Sequence, residues 1–92
     1  MAENKYTFHE DPGHGWLEVP IAKLKELGVV DKISYFSYQS NFKIADSETA
    51  YLEEDCDASI FMDAMKAIGE KVVCEREYRE HTFIRDLASF GS

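Results

Sequence analysis

A chain of 92 residues has room for one hydrophobic core, and its 45% hydrophobic content, with six Phe, five Tyr and one Trp, argues against disorder over its body. Eighteen Asp and Glu against ten Lys and Arg leave a net charge of -8 and a pI near 4.7, which opposes contact with DNA, RNA or anionic membranes. The same imbalance favours basic surfaces, so a protein partner is expected in preference to direct DNA binding.

In chain order, Lys5 to His9 alternate weakly, with Tyr6 and Phe8 on one side, and predict a strand. Glu10-Asp11-Pro12-Gly13-His14-Gly15 concentrates turn formers. Trp16 to Val19 resumes the alternation, with Leu17 and Val19 opposite Trp16 and Glu18, so the two runs predict a hairpin. Pro20 suits a first helical turn, Ile21, Leu24 and Leu27 follow at helical spacing, and Gly28 is a ready stop. Ile33 to Tyr38, ISYFSY, predicts a third strand; Phe42 and Ile44 then either extend it or return from it. Thr49 to Glu53 predicts a fourth, with Ala50 and Leu52 opposite Tyr51 and Glu53.

Asp55 or Asp57 is placed to cap the strongest helix, whose apolar stripe is Ala58, Phe61, Ala64, Met65 and Ile68, ending at Gly69. Lys71 to Tyr78 predicts a last strand with Val72 and Cys74 inward. Phe83, Ile84, Leu87 and Phe90 make the tail too apolar to fray, so it is expected to dock on the body or on a partner. The order ββαββαβ predicts an α+β fold, one largely antiparallel sheet with two α-helices packed on one face. A single domain covers residues 1–92, with 1–4 and 91–92 as loose ends. Cys56 and Cys74 lack metal-ligand spacing and read as reduced thiols; no cationic leader and no membrane-length apolar run is visible.

Few constellations carry chemistry. His9, Asp11 and His14 could ligate a metal in a small hydrolase or nuclease, but they share one turn and lack a fourth ligand, so exposed turn polars are the plainer reading. Cys56 sits between Asp55 and Asp57, whose charge raises a thiol while the helix start lowers it, so no activated nucleophile is expected. The run Glu53-Glu54-Asp55-Cys56-Asp57, with Glu48 upstream, supports a helix dipole, could attract Mg²⁺ or Ca²⁺ although calcium-loop spacing is absent, or could engage a Lys/Arg surface. It exceeds what one helix start needs. Tyr35, Phe36 and Tyr38 are weakly flanked by cations, which points to core packing on one face and protein contact on the other. Lys71, Arg76, Arg79 and Arg85 alternate with Glu70, Glu75, Glu77 and Glu80 and read as a solvated face of mixed sign. The expected partner-binding residues are Glu48, Glu53, Glu54, Asp55, Asp57, Tyr35 and Tyr38, with no catalytic residue, metal or cofactor.

YTFHEDPGHGWLEVP at Tyr6 to Pro20 and YLEEDCDA at Tyr51 to Ala58, with ISYFSYQ between them, resemble a family of short proteins of phages, plasmids and other bacterial mobile elements. The likeness covers roughly two-thirds of the chain, Tyr6 to Ile68, and leaves the C-terminal third unmatched. Length and acidity also resemble a type I-F anti-CRISPR protein. That resemblance implies a non-enzymatic inhibitor in the cytoplasm of a bacterial host. Its partners would be protein subunits of the CRISPR surveillance ribonucleoprotein, beside the guide RNA, and it would block target DNA binding or the following step. A mobile-element adaptor that binds another host protein is the alternative. The resemblance transfers no residue roles.

Overall fold

Two runs of alternating residues close the first hairpin of the structure, a computed structural model that describes residues 4–34, 36–40 and 48–90. Strand β1 (Asn4–Glu10) pairs antiparallel with β2 (Gly15–Pro20), matching Phe8 to Leu17 and His9 to Trp16. Pro20 ends β2 and leads into helix α1 (Ile21–Leu27), which closes on Gly28 at φ 73°, where a side chain would be strained. A 3-10 turn (Val30–Lys32), the two-residue strand β3 (Tyr38–Gln39), β4 (Thr49–Glu53) and helix α2 (Asp57–Ala67) follow. The chain ends with β5 (Val72–Tyr78), a second 3-10 turn (Phe83–Asp86) and β6 (Ala88–Ser89).

The strands form one open six-stranded sheet in the order β5-β1-β2-β4-β3-β6. Among the described residues only β1 with β5 is parallel; every other neighbouring pair is antiparallel. The fold is therefore α+β, as expected. Residue 4, expected as part of a loose end, opens β1; residues 1–3, 91–92, Tyr35, Phe42 and Ile44 lie outside the described residues.

Both helices cover one face. Leu17, Val19, Ala50 and Leu52 point from the sheet toward Ile21 and Leu24 of α1 and Ala58, Phe61 and Met65 of α2. Tyr6 meets Phe61 edge-on, with ring centroids 5.0 Å apart. Each fully buried Leu, Phe or Met contributes about 1.5–3 kcal/mol, so this layer supplies most of the stability.

The opposite face is covered too. Trp16 and Tyr51 pack under the tail residue Ile84, flanked by Tyr38 and Leu87, and form a second, smaller core. The apolar tail thus docks on its own chain, fastened by Phe90 N–H to the Ser37 carbonyl at 2.8 Å and by β6 against β3.

Two local expectations are corrected. The predicted strand from Ile33 shrinks to Tyr38–Gln39. Ser34 gives both its N–H and its hydroxyl to Asp57 and accepts the N–H of Phe36, and such local bonds compete with a ladder. Cys74 pairs with Tyr6 and so has the expected helix-side parity, yet it is exposed. β5 is an edge strand that the helical layer covers only at its first residues.

Candidate functional site

The segments that stand out in the sequence, HEDPGHGW and YLEEDCDA, converge at one end of the sheet. Trp16 pairs with Glu53, and Glu54 N–H donates to the Gly15 carbonyl at 3.0 Å. A side chain at Gly15 would have to displace the Phe8 ring, because a Cβ there would stand 2.5 Å from it. Around this junction lies an open depression of about 320 Å³ lined by His14, Trp16, Phe36, Tyr38, Glu53, Asp55, Cys56 and Arg85.

Its floor is rigid. Trp16 is 2% exposed, with Tyr38 edge-on at 6.1 Å, His14 at 5.9 Å and the Arg85 guanidinium 5.3 Å from its ring centroid. Trp16 Nε1 is buried without a hydrogen-bond partner among the described residues. Arg85 reaches Asp11 with two N–H donors, at 2.5 Å and 3.1 Å, and Asp11 also accepts the N–H groups of Gly13 and His14. The Arg85 hydrogen bonds hold the Asp11 carboxyl well below the usual carboxylate range, against the effect of its burial. One clamp therefore ties the first turn to the tail.

A second network supports the wall. Asp57 is 1% exposed and accepts the Ser34 N–H at 3.0 Å, the Ser34 hydroxyl at 2.7 Å and the Ser37 hydroxyl at 2.5 Å. Ser37 in turn accepts the Glu53 N–H at 2.9 Å. Cys56 occupies the N-cap position of α2 without a side-chain cap, so neither Asp55 nor Asp57 caps the helix as expected.

Comparison with protein-family models, curated proteins and solved structures finds no match to this chain.

The expected partner-binding residues divide among several places. Glu53, Asp55 and Tyr38 line the depression, whereas Glu54 is exposed but does not line it, its carboxylate standing near Gly15 on the side of the Phe8 ring. Glu48 precedes the far end of β4, about 16 Å away along the strand, so it is not part of this site. Asp57 is a correction: it cannot face a partner, because its carboxylate is consumed inside the fold. Tyr35 lies outside the described residues.

The sequence reading missed Arg85, Ser34 and Ser37. Arg85 looked like one charge in an alternating run, and its partner Asp11 is 74 positions away, so no local signal could reveal the pair.

The turn residues do not act together. His9 is 5% exposed on the tail-covered face, with Nε2 2.7 Å from Glu18 and its ring edge-on to both Tyr51 and Phe83. Asp11 is bound by Arg85, and His14 lies at the rim of the depression. No group of three or more His, Cys, Asp or Glu among the described residues is arranged to hold a metal ion. The Cys56 thiol is pushed up, first by loss of solvent around the sulfur and then by Glu53, Asp57 and Asp55. A raised thiol is a poor nucleophile at neutral pH.

Proposed function

We propose that this protein is a non-enzymatic inhibitor from a phage or another mobile element, and that it docks stoichiometrically on a Lys/Arg-lined surface of the type I-F CRISPR surveillance complex. The observation that carries the binding reading is the convergence of both distinctive segments on one open depression whose groups are fitted for holding. Aromatic rings form its floor, carboxylates its rim, and its cysteine thiol is pushed up by loss of solvent and by the acids around it rather than activated. The partner follows from the resemblance of those segments and from charge. A complex that grips guide RNA and admits DNA needs cationic channels, and a chain of net charge -8 is attracted to them.

On this reading the protein occludes target DNA, or arrests the step after DNA binding, by occupying a site. No turnover is needed. Glu53 and Asp55 make the contact together with Tyr38, and Glu54 adds negative charge at the same end of the sheet.

The test mixes purified type I-F complex, labelled target DNA and increasing protein. Loss of DNA binding or cleavage that saturates near one protein per site is expected, and undiminished cleavage at large excess ends the proposal. Glu53→Lys with Glu54→Lys should restore cleavage. Asp57 is left intact, since a lysine there would be buried. Capture of a different host protein in place of the complex would favour the adaptor alternative.

A further inference from the structure

We infer that the depression is a receptor for a single basic side chain, an arginine or lysine of the partner protein, seated against Tyr38 with its charge met by Glu53 and Asp55. The inference rests on the binding reading above and deepens it by naming what enters the site.

The protein already shows how it holds a guanidinium. Arg85 lies 5.3 Å from the Trp16 ring centroid and is bound by the Asp11 carboxylate. Arg76 lies 5.6 Å from the Phe8 centroid and pairs with Glu10 at 2.9 Å. In both places an aromatic face and a carboxylate share one cation, because a ring quadrupole and a full negative charge attract it from different sides.

The depression assembles the same groups again. Tyr38 supplies aromatic surface over the buried Trp16, the exposed ring of Phe36 borders it, and Glu53 and Asp55 stand on the rim. The cation that lines the wall, Arg85, is neutralised by Asp11 and leaves the rim acids to dominate the local field. Among the described residues neither Glu53 nor Asp55 is in an ion pair.

Size and order admit such a side chain. The open depression of about 320 Å³ has room for a guanidinium and its methylene stem. Glu53 is fixed through its N–H to Ser37, and its carboxylate accepts the Asp55 N–H at 3.1 Å, so the rim is ordered before a ligand arrives.

Two-dimensional NMR of the full chain tests this with N-acetyl-arginine methylamide as the probe and its neutral citrulline counterpart as the control. The Trp16 indole signal and the Tyr38, Asp55 and Cys56 amide signals should shift and saturate with the arginine compound, and hardly move with the citrulline one. Glu53→Gln with Asp55→Asn, isosteric changes whose spectrum also reports folding, should weaken the arginine compound by about fivefold. Equal shifts from the citrulline compound overturn the inference, and so does a titration unaltered in that variant. Shifts produced by inorganic phosphate in place of the arginine compound also overturn it, since they would make Arg85 and His14 an anion site. Arginine capture by a chain that does not bind the surveillance complex supports the receptor and removes the proposed partner. Complex binding without arginine capture does the reverse.

Discussion

At the scale of single residues, most of the structural work at the site is done by two carboxylates that face inward. Asp11 is held by Arg85, which keeps its carboxyl ionised in the fold well below the range where a free one protonates. A depressed folded value means that the clamp's stability is present above the ordinary carboxylate range of about 4 and is lost as pH falls below it. Asp11→Asn keeps an oxygen for the Gly13 and His14 amides but removes the charge. Because Arg85 is 47% exposed, water screens the pair, and a loss of about 1–2 kcal/mol at pH 7 is expected. Urea unfolding of both forms at pH 7 and pH 3 checks it, and a gap that fails to narrow at the lower pH contradicts the clamp. Ser37 is the second case. Its hydroxyl donates to Asp57 and accepts from the Glu53 N–H, and the residue is fully buried. Ser37→Ala leaves that amide without a partner, so about 1–3 kcal/mol should be lost and the Glu53 amide should exchange its hydrogen faster. An unchanged Glu53 exchange rate would show that the relay does not order the rim.

At the scale of elements, the tail behaves as a missing layer of the sheet. Helices α1 and α2 cover one face, and the 3-10 turn Phe83–Asp86 covers part of the other, with Ile84 fully buried on Trp16 and Tyr51. Ile84→Ala should therefore cost about 2–4 kcal/mol, a large share of the margin a domain this small commands. It should also red-shift Trp16 fluorescence in the folded state as water reaches the indole. A stable variant with unshifted emission would mean that the tail is not what closes this face. These elements also mark how far the sequence could be read. The hairpin, the α1 stop at Gly28, the bounds of β4 and the apolar stripe of α2 as far as Met65 were legible because each is written in spacing over a few residues; Ile68, expected to continue that stripe, lies past the helix end and is exposed. The strand expected from Ile33 was not, because Ser34 and Ser37 answer to Asp57, twenty or more positions away in the chain, rather than to their own β propensity. Nor was the parallel seat of β5 beside β1, which leaves Cys74 exposed. Of the candidate site, Glu53, Asp55 and Tyr38 were legible by residue type, but nothing local distinguished the buried Asp57 from its exposed neighbours.

At the scale of the whole molecule, charge sets how the protein meets its proposed partner. The molecule measures 34 × 25 × 22 Å and carries a net charge of -8. At an ionic strength of about 0.1 M the screening length is about 10 Å, so acids spread over much of this surface act on an approaching cationic channel together; at about 1 M it is about 3 Å, and only groups in contact still interact. Attraction summed at a distance accelerates encounter, whereas contact pairs hold the complex once it has formed. The association rate with the type I-F complex should therefore fall by about tenfold or more between those two salt concentrations, with the dissociation rate changing far less. Position within the molecule sharpens the prediction. Glu48 lies at the far end of β4 and outside the depression, so Glu48→Lys should slow association and leave dissociation nearly unaltered. Glu53→Lys and Asp55→Lys lie on the rim, so each should slow association and also hasten dissociation. Surface plasmon resonance with the complex immobilised separates the two rates. An association rate indifferent to salt, or a Glu48→Lys variant that dissociates as fast as the rim variants, would mean that the acids do not divide into a steering set and a contacting set, and that another face of the molecule makes the contact.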